Sequence, residues 1–166
     1  GWVKGHGEFR APDQEAIDAA VARCRAPLAR SGGDINAIRE ELYNVMWDDV
    51  GIIRDAASLN RSAGLLDELD ARLDQTGVDA STLAFNLTWH DWMNLKNLLL
   101  VSQSIRFAAM AREDSRGAHY REDFPEVRDL ENSSFTCVTL SDGKFSAATK
   151  PVQFTRVKPG ESLLKA

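Results

Sequence analysis

Four stretches of this 166-residue chain place apolar residues three and four apart, and the stretch that follows residue 115 does not. A 3.6-residue period is the mark of a helix with one buried face, so the chain must pack helices together and then change architecture near its end. Helix one is read from Pro12, suited to a first turn, to near Arg30, with Ile17, Val21, Cys24 and Leu28 on its stripe. Ser31-Gly32-Gly33 breaks it. Asp34 is a plausible N-cap for a second helix reaching about Asp49 and carrying Ile35, Ile38, Leu42, Val45 and Met46. After Gly51 a third helix carries Leu59, Ala63, Leu66, Leu69 and Leu73 until Thr76-Gly77 stops it. The longest segment, about residues 82–112, places Trp89, Trp92, Leu95, Leu98 or Leu99, Val101 or Ser102, Ile105 and Ala109 at the helical period. Its first part, through Asn86, reads as a loop or a separate short helix. Leu42, Leu66 and Ile105 sit mid-stripe on three different helices and are expected to meet in one core.

Residues 135–140 and 152–157 are rich in Thr, Val and Phe, and Ser141-Asp142-Gly143-Lys144 is a strong turn signal. The expected fold is therefore mainly α, a helical bundle followed by a small C-terminal β-hairpin. Residues 12–166 form that single domain, and residues 1–11, Gly-rich with Trp2 and Phe9, read as a lead-in that docks on something larger.

Composition narrows the function classes. With 20 Lys plus Arg against 25 Asp plus Glu, the net charge of −5 gives no pull toward nucleic acid or anionic lipid. The longest aliphatic run, Leu98-Leu99-Leu100-Val101, is far short of the roughly 20 residues that span a bilayer. Two cysteines, Cys24 and Cys137, make neither a disulfide framework nor a zinc site and fit a reducing compartment.

The sequence offers no catalytic, cofactor-binding or metal-ligating set. Gly5-His6-Gly7 has Arg10 where a dinucleotide fingerprint needs its third glycine, and no strand precedes it. Phosphate-loop, nucleophile-elbow and zincin patterns are absent, and His6, His90 and His119 lie in three separate contexts. Trp47, Trp89 and Trp92 read first as core or domain-contact side chains. Asp48-Asp49 beside Arg54-Asp55 reads as a capped helix end with local ion pairs.

One segment stands apart. Residues 112–125 pack three Arg, one His and four carboxylates into fourteen positions directly after the longest helix. A helix C-terminus attracts cations, a glycine lets the chain reverse, and Arg forks clamp carboxylates or carbonyls in fixed geometry. A solvated loop with internal ion pairs is the ordinary alternative.

Within it, Ser115-Arg116-Gly117-Ala118-His119-Tyr120-Arg121-Glu122-Asp123-Phe124-Pro125 closely resembles a motif in the C-terminal helical domain of succinate dehydrogenase and fumarate reductase flavoprotein subunits, a family that includes L-aspartate oxidase. Met46-Trp47-Asp48-Asp49-Val50-Gly51-Ile52-Ile53-Arg54-Asp55 is similar to that family's second-helix signature. Asn97-Leu98-Leu99-Leu100-Val101 leading to Ala108-Ala109-Met110-Ala111-Arg112 resembles its long last helix, and Lys150-Pro151-Val152-Gln153-Phe154-Thr155 its closing strand. The likeness covers residues 34–158 in family order. Asp114 stands where the family usually has Glu, and residues 132–140 lack the Lys-His pair that many succinate and fumarate enzymes carry there.

The resemblance implies a spectrin-like three-helix bundle that packs against a flavin domain and is inactive alone. It implies FAD in the parent protein but none in this chain, with the flavin-binding and capping domains as partners and an iron-sulfur subunit as a further one. It places Arg116, His119 and Arg121 on the side facing the flavin domain, and the protein in the cytoplasm, soluble or peripheral on the membrane within a complex. Substrate, whether succinate, fumarate or aspartate, stays open. The competing reading is a stand-alone helical-bundle interaction module working through Trp2, Trp89 or Trp92 and the Arg segment.

Overall fold

The computed structural model describes residues 5, 11–78 and 82–162. The lead-in assigned to residues 1–11 lies almost wholly outside the described residues. Helix α1, Gln14–Arg25, starts after Asp13, whose carboxylate accepts from the Ala16 amide at 3.1 Å; Pro12 thus precedes the helix and does not open it. It also stops short of Arg30. Pro27 has no N–H to continue the ladder, and residues Ala26–Ala29 tighten into a 3₁₀ turn. No residue of α1 is buried, so its apolar stripe lies outside the bundle core.

The bundle is built by three helices: α2 (Ile35–Asp48), α3 (Ala56–Gln75) and α4 (Leu87–Ala111). Each has a side-chain N-cap. Asp34 accepts from the Asn36 and Ala37 amides, Asn86 from Trp89, and Asp55 forms a reciprocal capping box with Ser58. Residues 82–86 are therefore the loop that leads into α4. Ile38 and Leu42 of α2, Leu66, Leu69 and Leu73 of α3, and Leu95 and Leu99 of α4 fill the main core. Each such burial contributes roughly 1.5–3 kcal/mol. Trp92 and Trp89 pack there too and donate their indole N–H groups to the carbonyls of Leu73 and Cys24, at 3.0 and 2.7 Å. A smaller cluster of Val50, Leu59 and Ala109 closes the end where α3 starts and α4 stops.

Ile105 does not join Leu42 and Leu66. Six residues past the buried Leu99 it has turned about 240° around the helix and is 46% exposed. Of the paired alternatives, Leu99 and Ser102 point inward.

The hairpin is shifted from its expected position. Strand β3 (Ser134–Ser141) pairs antiparallel with β4 (Lys144–Pro151), and residues 152–157 lie beyond the ladder. Asp142 and Gly143, at φ 50° and 73°, make a two-residue connection that forces Lys144 directly opposite Ser141. Phe145 on β4 meets Phe107 on α4, ring centroids 5.6 Å apart, and holds the hairpin to the bundle. A second sheet has no sequence signal: β1 (Ile53–Arg54) pairs parallel with β2 (Tyr120–Arg121), Ile53 opposite Tyr120 and Arg54 opposite Arg121.

Candidate functional site

Helix α4 ends with carbonyls that have no partner further along the helix, and this end of a helix attracts positive charge. Arg121 meets them. Its Nη1 donates to the carbonyls of Ala109, Met110 and Arg112 at 2.9, 3.1 and 3.1 Å. The other side of the fork, Nε and Nη2, binds both oxygens of Asp123 at 2.7 Å. The Phe124 ring lies 4.9 Å from the guanidinium carbon. Only 1% of the Arg121 side chain is exposed.

Asp123 carries the connection onward, because its Oδ2 also accepts from the amide of Ala56, the first residue of α3, at 3.0 Å. The hydrogen bond from Arg121 is the main reason its carboxyl is held at about 2. One ion pair thus ties the end of α4 to the beginning of α3. Ser115 locks the loop from within: its hydroxyl donates to the Phe124 carbonyl at 2.8 Å and accepts from the Arg121 amide at 2.9 Å.

Between these anchors, Arg116 and His119 exchange backbone hydrogen bonds of 2.8 and 3.1 Å across a tight turn. Gly117 takes φ 58° there, a backbone region that a side chain disfavours. Arg116 Nη1 donates to Ser133 at 2.8 Å, anchoring the turn to the start of the hairpin. His119 Nε2 lies 3.3 Å from the Arg112 carbonyl, which can only accept, so this nitrogen carries the proton. Burial, then the Arg54 charge, pushes the imidazole below its usual range, so it is neutral at pH 7. Arg112 in turn binds Asp114, Nε to Oδ1 at 2.6 Å, and lowers that carboxyl.

The predicted trio is therefore brought together on one loop but divided in role. Arg121 faces inward as a clamp. Arg116 and His119 are half-buried at its edge. The sequence reading passed over Arg54, Ser115 and Asp123. Asp123 stands two residues from Arg121 in a pattern that any solvated loop could show, and Arg54 becomes part of the site only through the β1–β2 pairing. Asp49 and Asp55 behave as expected at a capped helix end: Asp49 pairs with Arg61, and Asp55 caps α3.

Chemically the arrangement is a clamp. Among the described residues no group of three or more His, Cys, Asp or Glu side chains could hold a metal ion, and no helix is long and apolar enough to cross a membrane. Trp89 and Trp92 are engaged in the core, while Trp47 is 83% exposed.

Comparison with known proteins places the clamp in context. Residues 39–163 match the family model described as the fumarate reductase flavoprotein C-terminal region. The 8-methylmenaquinol:fumarate reductase flavoprotein subunit of Wolinella succinogenes is 36% identical over 135 residues, 79% of this chain and 22% of that protein. L-aspartate oxidase of Pyrococcus horikoshii is 36% identical over 104 residues, 62% of this chain and 17% of that protein. The solved structure of Mycobacterium smegmatis Sdh1 in complex with UQ1 superimposes with a TM-score of 0.81 at 28% identity, over 92% of this chain and 26% of that one. The chain spans about a fifth of the length of these curated relatives.

Proposed function

From a chain that belongs to the fumarate reductase and succinate dehydrogenase flavoprotein family, as its C-terminal helical domain, we propose a supporting role inside a larger FAD-dependent oxidoreductase. The domain packs against the flavin-binding domain of its own polypeptide, and residues 12–166 act as one unit entered through the lead-in at residues 1–11. FAD and the substrate belong to the flavin-binding and capping domains. An iron-sulfur subunit is a further partner in such an enzyme, which works in the cytoplasm or on the cytoplasmic face of a membrane.

One observation carries this reading: the Arg121–Asp123 clamp, which lies within the family match, fixes the turn that presents Arg116 and His119 at the edge of the bundle. Arg121 is buried in its own domain, so it serves the interface by shaping the loop, while Arg116 and His119 meet the flavin domain. The stand-alone module loses Trp89 and Trp92 as contacts because both indoles are engaged in the core.

The test uses the full-length flavoprotein. Replacing Arg116 and His119 together by Ala should lower the FAD retained after gel filtration and lower turnover. Wild-type flavin content and wild-type turnover would retire the interface role. The chain alone should retain no flavin when incubated with FAD and gel-filtered.

A further inference from the structure

Helix α4 differs from α3 in what it shows to solvent. The exposed residues of α3 include Arg61, Asp67, Glu68 and Asp74, an ordinary solvated face. From Asn94 to Ala111 every exposed residue of α4 is uncharged, and among them Leu98, Val101 and Ile105 are 38%, 51% and 46% exposed. At 100° per residue these three fall within about 60° of one another, turned about 100–160° from the buried Leu99. The two charged residues of the stretch lie off this face. Lys96 pairs with Asp70 and Asp74 of α3, and the half-buried Arg106 stands about 100° around the helix from Ile105. Helix α4 thus carries apolar side chains inward and outward, and a helix that is apolar all round is an enclosed one.

Two observations select what covers the outward face. Seven residues beyond Ile105, two turns along nearly the same side, α4 reaches Arg112, whose carbonyl lies 3.3 Å from His119 Nε2. The stripe is therefore continuous with the turn that the function proposed above sets against the flavin domain. Its extent points the same way. Leu98 to Ile105 spans about 10 Å along the axis, and three partly exposed side chains fall far short of the roughly 800 Å² per partner that a stable complex buries. A second copy of the chain would not be held there. This chain spans about a fifth of its relatives' length, and a domain on the same polypeptide needs no such area because it is tethered. A face without charges also selects an occupant of its own kind, since a charge buried against it would lose water and find no counter-charge.

We propose that the outer face of α4, with Leu98, Val101 and Ile105 at its centre, seats an uncharged, apolar surface of the flavin-binding domain. This rests on the function proposed above and adds a second part of the contact, with the chemistry of its occupant.

In the full-length flavoprotein, photoreactive p-benzoylphenylalanine replaces Ile105, and in separate proteins Leu100 or Ala118. Leu100 is nearly as exposed but lies about 140° around α4, on the flank of Phe107, and Ala118 is exposed in the Arg116–His119 turn. Irradiation should join position 105 to an apolar flavin-domain peptide and leave position 100 without such a product. Flavin-domain capture from 118 without capture from 105, or equal capture from 100 and 105, would overturn this face and leave the domain reading standing. Capture of a second copy or of a separate subunit from 105 would overturn the partner, and attachment to a segment dominated by charged residues would overturn its chemistry. Absence of flavin-domain capture from all three positions would sink both readings. As a second arm, Ile105→Asp should lower the FAD retained after gel filtration several-fold. Ile105→Met should keep it near wild type, as should Leu100→Asp, which places the same charge on the same helix. Full retention in Ile105→Asp, or an equal loss in Leu100→Asp, would overturn the contact.

Discussion

Through the middle of the bundle Leu42, Leu66, Leu73, Leu95 and Leu99 exclude water from one another without a polar group among them, whereas at the β1–β2 end a single guanidinium holds three carbonyls and a carboxylate. The two regions obey different rules when damaged. Apolar packing is short-ranged and divided among many side chains, so losing one costs its own transfer energy plus a cavity. The clamp is concentrated: Arg121 serves the end of α4 and, through Asp123, the beginning of α3. A fold can thus distribute its stability in one region and centralise it in another, and the centralised region is the one proposed above to meet the flavin domain.

The sharpest way to break this contrast is Arg121→Met. Removing one member of a buried ion pair while its partners stay costs about 4 kcal/mol, and the lesion should spread to both helix ends. Chemical denaturation should show the loss, and hydrogen exchange should show faster opening at Ala56 and across residues 109–112. A loss below about 1 kcal/mol, the range of exposed pairs, would mean that the clamp is a solvated loop after all.

Leu99→Ala tests the distributed region. It should cost about 3 kcal/mol, within the range for buried Leu truncations, with exchange rates raised around α4 and little change at Ala56. Equal disturbance of Ala56 in both variants would erase the distinction between the regions.

These regions also differed in how far the sequence disclosed them. The stripes of α2 and α3 and the Asp34 cap were readable because helix periodicity and capping are local chemistry. The hairpin turn at Asp142-Gly143 is legible too, yet residue composition points to a second strand eight residues beyond the true one, since Val152 and Phe154 look more strand-like than Ser146 and Ala147. Turn geometry outranked β-propensity, as register depends on the connection. The clamp could be suspected from its density of Arg and Asp but not assembled. The β1–β2 pairing that frames it joins residue 54 to residue 121 across two intervening helices, and no local pattern encodes a two-residue parallel pairing. Family resemblance supplied the location, and only geometry divided Arg121 from Arg116 and His119.

Acid offers a smaller, graded test of the clamp. Asp123 is held at about 2 against an ordinary 3.8, chiefly by Arg121. A carboxyl whose folded-state value is depressed adds stability above its unfolded value and loses it as pH falls toward the folded one. The contribution should therefore be complete above about pH 4 and fade toward pH 2. Allowing for the partial exposure of the carboxylate, it amounts to roughly 1–2 kcal/mol. Asp114, lowered by its hydrogen bond from Arg112, also gives up stability on the acid side. Only the portion that vanishes in Asp123→Asn belongs to the clamp, and an unchanged acid limb in that variant would assign the loss elsewhere.

The smallest predicted effect decides how the long helix is oriented. Leu99 and Ile105 lie on the same helix, are comparable in size, and both satisfy a helical spacing from Trp92 or Trp89 when the stripe is allowed to drift. The fold separates them: Leu99 is fully buried, and Ile105, about 120° away around the helix, is 46% exposed, in line with Leu98 and Val101. Ile105→Ala should accordingly change stability by no more than about 0.5 kcal/mol, because an exposed truncation leaves no cavity, and Ala's higher helix propensity offsets part of the lost contact. A loss near 3 kcal/mol would show that α4 is rotated toward Ile105. Leu99→Ala would then have to cost much less, since Leu99 lies about 120° from Ile105 and a packed helix buries a stripe about 100° wide. Measuring both variants under the same conditions separates a rotated helix from a generally fragile one, because rotation exchanges the two costs and fragility raises both.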